Sequence, residues 1–157
     1  MPETPNQPDR VDTARYAMMQ VLANADVKAL DEHFTDLGEL PAWRYIRKPE
    51  VGLVMLRGQI GGSGAPFNFG EATMTRAAIV LESGEQGFGQ CLGRARRKAA
   101  ISAIIDGLYQ RSEWRERIDA DLVGPLRTAQ EGNDALRRAE TAATKVDFFT
   151  LARGEDG

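Results

Sequence analysis

The chain has 157 residues, of which 42% are hydrophobic and 27% charged, and its net charge is −3. This composition is ordinary for one folded domain and argues against wholesale disorder. It gives no general reason to expect binding to nucleic acid, and no apolar run reaches the roughly 20 residues that span a bilayer. A single cysteine excludes an internal disulfide and fits a reducing compartment. The first residues lack the pattern of a secretory signal, so we expect a cytoplasmic protein.

The N-terminal part of the chain predicts a short tail followed by two helices. Residues 1–10 are rich in proline and poor in apolar groups, so we expect a disordered tail before a single domain over 11–157. Apolar residues recur at helical spacing over 11–23. A second helix follows, with Asp26 as its N-terminal cap and Gly38 at its left-handed stop. Together these segments predict a helical hairpin.

The middle of the chain predicts about four strands. We expect Trp43, Tyr45 and Arg47 to share one face of the first strand, because side chains alternate along a strand. The second strand is almost continuously apolar, as expected for a strand covered on both faces. Residues 58–70 contain five glycines and are predicted to form a loop or an irregular, bulged strand. The predicted strands span 43–47, 51–57, 72–81 and 87–92.

Helices resume after the strands. Residues 95–110 predict one helix, and a shorter amphipathic helix runs up to Gly124. Pro125 suits the first turn of a last helix that ends near Thr144. Consecutive strands with helices at both ends indicate an α+β domain with a mainly antiparallel sheet. The buried stripe of the first of these helices is predicted to be Ile101, Ile104, Ile105 and Leu108.

The residue inventory is too poor for most self-contained active sites. One cysteine and one histidine, Cys91 and His33, cannot supply a zinc or iron–sulfur centre from this chain. We interpret His33 as a partly exposed helix residue and Cys91 as a small packing residue. The sequence therefore assigns no catalytic residue, no metal site and no cofactor bound by this chain alone.

A glycine-rich segment follows the second predicted strand. Its glycines at positions 61, 62 and 64 could form a tight turn, or could direct backbone N–H groups at a phosphate. The phosphate-binding motif G-x-x-x-x-G-K-[ST] is absent, and no helix pattern begins after Gly64. Both interpretations stay open.

Several charged and aromatic residues are candidates for ligand or partner contacts. Arg76 lies in a strand suited to half-burial, so it either pairs with Glu71 or anchors an anion or a partner. Between Arg94 and Arg117, seven basic residues face three acidic ones, which indicates either a solvated helix face or an anion or partner site. Near the C-terminus, an apolar pair of phenylalanines either closes over the domain's own core or inserts into a partner. This last segment contains Lys145, Asp147, Phe148, Phe149 and Arg153.

Read in order, these segments resemble the PhnG family of the carbon–phosphorus lyase system. The resemblance covers nearly the whole chain after the first ten residues, and the closing Val-Asp-Phe-Phe-Thr is its most distinctive part. One departure is Ala95, because an acidic residue commonly follows the Gly-Arg pair in the family. The matching stretches are 47–57 (RKPEVGLVMLR), 61–71 (GGSGAPFNFGE), 72–78 (ATMTRAA), Gly93-Arg94, 105–108 (IDGL), Pro125-Leu126 and 145–156 (KVDFFTLARGED).

The resemblance implies a subunit of a core complex in organic phosphonate catabolism. Its expected partners are PhnH, PhnI and PhnJ, together with an associated ATP-binding-cassette-like protein. Such a complex transfers an alkylphosphonate onto the ribose of ATP and releases adenine, forming ribose 1-methylphosphonate 5-triphosphate. The resemblance places an iron–sulfur cluster and S-adenosylmethionine in a partner subunit, with ATP as a substrate of the complex.

The leading hypothesis is therefore an accessory, non-catalytic subunit of this complex. An alternative is a stand-alone phosphate- or nucleotide-binding protein that uses the glycine loop and its flanking arginines. A third interpretation is a homodimer without a ligand. The candidate contact residues are Arg57, Gly61, Gly62, Gly64, Glu71, Arg76, Arg94, Lys145, Asp147, Phe148, Phe149 and Arg153.

Overall fold

A computed structural model describes residues 10–59 and 64–144, in which helices cover one face of an antiparallel sheet. Within this part of the chain, two helices come first, strands follow, and helices close the domain. This order confirms the predicted α+β class. The elements are α1 (Arg10–Asn24), α2 (Val27–Asp36), β1 (Trp43–Gly58), β2 (Phe67–Leu81), β3 (Gln86–Leu92), α3 (Arg96–Tyr109), α4 (Ser112–Ile118), a π-helical turn (Asp119–Val123) and α5 (Gly124–Ala143).

The two predicted helices at the N-terminal end are confirmed as α1 and α2, but each packs mainly on α3 and not on the other, so they do not form the predicted hairpin. The Asp26 carboxylate accepts hydrogen bonds of 3.0 Å from the backbone N–H groups of Lys28 and Ala29, which caps α2. Gly38 has a φ of +72°, the left-handed conformation that commonly follows a helix. None of the helices in the described residues combines the length and apolarity needed to cross a membrane.

The sheet of the described residues contains three antiparallel strands in the order β1-β2-β3. β1 and β2 pair from Trp43 opposite Leu81 to Gly58 opposite Phe67. β3 pairs only with the 74–80 part of β2. The far ends of β1 and β2 therefore continue past β3 as a two-stranded ribbon, which we call the arm (53–58 and 67–73).

The sheet has one strand fewer than predicted, because the first two predicted strands form the single strand β1. Pro49 lies inside β1, although proline has no backbone N–H to donate. It is tolerated because β1 is an edge strand of the described sheet, and one of its two edges pairs with no other strand. Register shifts on either side of Arg47 bend the strand. Within 58–70, residues 67–70 belong to β2, and a register shift lies there between the pairs of Leu56 and Arg57, which agrees with the bulged-strand alternative for this part.

The core lies between the sheet and α3. The predicted stripe of α3 is confirmed, since each of its members is at most 2% exposed. Burial extends all round this helix from Lys98 to Tyr109, because the other helices pack on the side that faces away from the sheet. The inner face of β2 contributes Thr75, Ala77, Ile79 and Leu81, as the strand alternation predicts.

Helix α3 approaches β3 unusually closely. A Cβ atom at Gly87 would lie 1.9 Å from the carbonyl oxygen of Ala103, and one at Gly89 would lie 2.1 Å from that of Ala99. No side chain fits in such a gap, so glycine is required at both strand positions. Gly107 meets the strand from the helix side, in contact with Ile79.

A buried carboxylate ties three elements together. Asp106 of α3 is 2% exposed and accepts two hydrogen bonds from the guanidinium of Arg15 in α1, at 2.6 and 2.7 Å. It also accepts the backbone N–H of Phe88 in β3 at 2.9 Å. Such a bidentate, charge-assisted pair is among the stronger polar contacts in proteins. The carboxylate of Asp106 thus satisfies a backbone donor of β3 that has no strand partner on this edge of the described sheet.

The predicted last helix is confirmed as α5, with Pro125 in its first turn, but α4 and α5 form one continuous rod without a break at Gly124-Pro125. A π-helical turn joins α4 to α5, and the N–H of Gly124 reaches back five residues to the carbonyl of Asp119. Pro125 cannot donate a backbone hydrogen bond, and a π-bulge is one way for a helix to accommodate that loss. Beyond Gln130, the described residues of α5 are all exposed, so this end of the helix projects into solvent.

Candidate functional site

The described residues hold no cluster that resembles a catalytic or metal centre. No group of three or more histidine, cysteine, aspartate or glutamate side chains in this part of the chain could ligate a metal ion. His33 is half-buried on α2, in agreement with its interpretation as a helix residue. Burial raises the pKa of the Cys91 thiol, and its Sγ donates to the carbonyl oxygen of Ala95 at 3.6 Å. Cys91 is therefore a packing residue and not an activated nucleophile.

Most basic residues between Arg94 and Arg117 form hydrogen bonds or ion pairs with other residues of the domain. Lys98 is nearly buried, and this burial lowers the pKa of its ammonium group. These contacts favour a structural role for the stretch over an anion site. Arg94 is exposed at the turn before α3 and forms no ion pair with any other described residue. The partners are the Pro49 carbonyl for Arg96, Asp31 for Arg97, the Ala25 carbonyl for Lys98, Glu113 for Arg111, the Tyr109 carbonyl for Arg115 and the Leu37 carbonyl for Arg117.

The arm exposes large apolar side chains on both of its faces. Leu53 and Met55 lie on the inner face and are 63% and 56% exposed, because α3 begins beside the end of β3 and runs away from the arm. On the outer face, Phe69 is 58% exposed and its ring lies over Gly58, 6.1 Å from the ring of Phe67. Apolar groups concentrated in this way mark an interaction surface more often than a free one.

The predicted residues Arg57 and Glu71 belong to this arm. Both are exposed, with Glu71 opposite Met55 and Arg57 opposite Asn68, and the pair of Leu56 and Gly70 lies between them. They are the charged residues of the described arm, whose other members are apolar residues, glycines and the uncharged polar Asn68 and Thr73. Whether they contact a partner stays a prediction.

The ion pair considered between Arg76 and Glu71 is not formed. The two residues are five positions apart on one strand, so their side chains point to opposite faces of the sheet. Arg76 is exposed on the outer face instead, opposite Glu50 of β1. It makes no ion pair with any described residue, which leaves its guanidinium available to a ligand or partner.

A depression lies on the outer face beside Arg76. It has a volume of about 480 Å³ and is bounded by β1, β2, β3 and Met19 of α1. Arg47 also lines it, although the sequence placed this residue with Trp43 and Tyr45. That prediction is wrong because the register shift after Tyr45 turns Arg47 towards the outer face, opposite Ala78.

Sequence reasoning missed Arg47, Phe88 and Met19 as members of this depression. Phe88 could have been found, because strict alternation in β3 turns it away from the buried glycines on either side. Met19 could not, since it comes from α1, which precedes all the strands and whose placement beside the sheet is not encoded in a local pattern. Of the other predicted contact residues, Gly64 precedes β2 without regular structure. Those outside the described residues are Gly61, Gly62, Lys145, Asp147, Phe148, Phe149 and Arg153.

Comparisons with known proteins agree with the resemblance found in the sequence. A family model described as phosphonate metabolism protein PhnG matches residues 13–154. A protein of Rhizobium meliloti (strain 1021) is 44% identical over 138 residues, which cover 88% of each chain. That protein is named alpha-D-ribose 1-methylphosphonate 5-triphosphate synthase subunit PhnG. On this match, which spans both the arm and the helical core, the chain belongs to the PhnG family.

Proposed function

We propose that this protein is an accessory, non-catalytic subunit of a carbon–phosphorus lyase core complex in phosphonate metabolism. The observation that carries the proposal is the match to the PhnG family over almost the whole chain. The relative from Rhizobium meliloti is named as one subunit of a synthase, which supports a role as part of an assembly. The reaction of that assembly is the transfer of an alkylphosphonate onto the ribose of ATP with release of adenine.

The arm supports the same proposal from its chemistry. A two-stranded ribbon is marginally stable by itself in water, and this one presents apolar side chains to solvent on both faces. Burial of these side chains in a partner would remove a substantial apolar area from water. We therefore assign the arm to the interface with another core subunit, with PhnH, PhnI and PhnJ as the candidates.

In this proposal, the other subunits of the complex hold the catalytic groups and the cofactors. ATP is a substrate of the whole complex, and the iron–sulfur cluster and S-adenosylmethionine reside in another subunit. The C-terminal segment with Phe148 and Phe149 is proposed as a second contact.

Co-purification tests the assignment of the arm. We expect the double substitution Leu53→Ser, Met55→Ser to abolish recovery of this chain with an affinity-tagged partner subunit, because it removes the apolar inner face of the arm. The same variant should fail to support growth on methylphosphonate in a strain that lacks its own copy. Circular dichroism of the purified variant verifies that the domain stays folded.

Leu136→Ser is the matched control, since Leu136 on α5 is 64% exposed and Leu53 is 63% exposed. It should co-purify like the unmodified chain. Normal assembly and growth of the double arm variant would show that the arm is not the docking surface. Failure of the unmodified chain to join any core subunit would overturn the proposed function itself.

A further inference from the structure

The two edges of the sheet differ in how their backbone groups are covered. At the β3 edge, the Asp106 carboxylate accepts the N–H of Phe88 at 2.9 Å, and the side-chain amide of Gln110 donates to the Gln86 carbonyl at 2.7 Å. Both covering side chains come from α3 or from the residue that follows it. An open strand edge is a template for pairing with another chain, so proteins commonly cover it. The β3 edge is covered in this way by the domain's own helix.

The β1 edge is protected over the first part of its length. Residues 44–50 contain Pro49 and four charged side chains, which discourage pairing with a further strand. The Pro49 carbonyl also accepts a hydrogen bond of 3.2 Å from Arg96. From Val51 to Leu56, by contrast, β1 contains neither a charged residue nor a proline, and its outer side pairs with no strand of the described sheet. We call residues 51–57 of β1 the open edge.

The direction of α3 leaves room beside the open edge. This helix passes Gly89 at Ala99 and Gly87 at Ala103, so it runs away from the arm. A second copy that lies antiparallel along the open edge would therefore have its helical layer at the opposite end of the paired strands. The helical layers of the two copies are thus kept apart by the length of the arms.

The residue order of the open edge is complementary to itself. A two-fold axis perpendicular to the sheet at Val54 places Leu53 of each copy opposite Met55 of the other, since opposed residues in antiparallel strands share a face. Leu53 and Met55 are 63% and 56% exposed in the single chain, and this register brings both pairs together on the inner face. Apolar cross-strand pairs of this kind stabilise a sheet. On the outer face, Val54 meets its own counterpart, with Gly52 opposite Leu56 on either side.

The charges at the ends of the open edge are compatible with the same register. Glu50 falls opposite Gly58, and Arg57 falls opposite Val51, so no like charges face each other. Moving the axis by two residues towards the N-terminus would instead place Arg57 opposite Arg47. Because like charges directly opposite each other weaken a strand pair, the axis at Val54 is favoured over that alternative.

We propose that the open edge pairs with the open edge of a second copy of this chain. The product is a two-fold symmetric dimer whose sheet runs through both copies, in the strand order β3-β2-β1-β1-β2-β3. Few residues take part, so the buried surface lies below the roughly 1,200 Å² that is the lower bound for most stable complexes. The dimer should therefore dissociate on dilution through the micromolar range.

The dimer shields the apolar inner face of the arm from water when no other subunit is bound. The arm is also assigned to a core subunit, so the dimer and the assembly would use the same surface and exclude each other. This exclusion rests on the proposed function, whereas the dimer of the isolated chain does not.

Sedimentation velocity of the isolated full chain tests the dimer, at concentrations from about 1 to about 200 μM. We expect the sedimentation coefficient to rise from that of a monomer to that of a dimer across this range. Val54→Lys should keep the chain monomeric throughout, because it places two like charges opposite each other at the axis, and Val54→Glu should do the same. An equimolar mixture of these two variants should form a dimer again, since the opposed charges are then unlike.

Leu92→Lys is the matched control, because Leu92 is 67% exposed at the end of β3 and lies outside the open edge. It should dimerise like the unmodified chain. Circular dichroism of each variant verifies that the domain stays folded. Recovery of the dimer in the mixture of opposite charges is a result that a merely structural role of Val54 would not produce.

An unmodified chain that stays monomeric at the highest concentration would overturn the proposal. Equal loss of the dimer in Val54→Lys and Leu92→Lys would overturn it too, as would a mixture of the folded Lys and Glu variants that stays monomeric. Addition of a purified core subunit should convert the dimer into the mixed complex. A core subunit that binds neither monomer nor dimer would contradict the proposed function and leave the dimer standing, so the two failures are distinguishable.

Discussion

Tyr109 shows how burial of one side chain sets a pH dependence. It is 2% exposed, and its hydroxyl donates to both carboxylate oxygens of Asp119 at 3.1 Å. Burial, followed by this hydrogen bond to an anion, raises the pKa of Tyr109 from 10.0 to about 12. The folded state therefore favours the neutral phenol.

This shift predicts loss of stability at high pH. The contribution of the neutral phenol is fully present below pH 10 and is lost as the pH rises from 10 to about 12. We expect the loss to reach about 2 kcal/mol. The measurement is the free energy of unfolding of the unmodified chain and of Tyr109→Phe, determined in denaturant at several pH values. A difference between the two that stays constant over this window would contradict the prediction.

Single residues also mark the limit of what the sequence predicts. Asp106 was visible as part of the Ile-Asp-Gly-Leu stretch, but its roles depend on Arg15, which is 91 positions away, and on a backbone N–H of β3. No local pattern encodes such a meeting. By contrast, Asp26 and Gly38 were predicted correctly, because a helix cap and a helix stop depend on neighbours within four residues.

At the scale of elements, the contact between β3 and α3 depends on glycine. Gly87→Ala would place a Cβ 1.9 Å from the backbone oxygen of Ala103, so the helix must move away from the strand. We expect a loss of about 3 kcal/mol in the free energy of unfolding, at the upper end of the usual cost of overpacking. Urea denaturation monitored by circular dichroism gives the value.

Gly70→Ala is the control for this prediction. Gly70 also lies in a strand, and a Cβ added there would have no neighbouring atom within 4 Å, so its substitution should change stability by less than about 1 kcal/mol. Equal losses in the two variants would show that alanine is disfavoured by these strands in general and that close approach is not the cause.

The fusion of two predicted strands into β1 explains why the outer-face depression could not be predicted. Alternation along 43–47 assigned Arg47 to the inner face, and it fails because a register shift lies between Tyr45 and Arg47. The hydrophobic pattern does not specify such a shift, since the polar residues Arg47 and Lys48 at this point give no apolar alternation that would fix the face. The stripe of α3 was predictable because helical periodicity continues without interruption over about two turns, from Ile101 to Leu108.

At the scale of the whole molecule, Asp106 joins the N-terminal helix, the sheet edge and the central helix. We expect Asp106→Ala to lower the free energy of unfolding by about 3 kcal/mol, because Arg15 and the Phe88 N–H both lose their acceptor. Asp106→Asn should cost less, since its side-chain oxygen can still accept from Phe88. Thermal and urea unfolding of the purified variants measures both effects.

Arg97→Ala provides the comparison for this prediction. Arg97 pairs with Asp31 at 2.6 Å, but both side chains are largely in water, so its loss should cost less than about 1 kcal/mol. A larger loss for Arg97→Ala than for Asp106→Ala would mean that the surface pair, and not the buried one, holds the helices together.

The exposed apolar arm limits how much of this protein a cell can hold without a bound partner. Its apolar faces and the open edge of β1 are features that promote association between identical chains, and β1 carries no charged side chain from Val51 to Leu56. For copies made in excess, aggregation would therefore compete with binding to a partner. Synthesis in step with that partner, ideally from one messenger RNA, would keep the unpaired pool small.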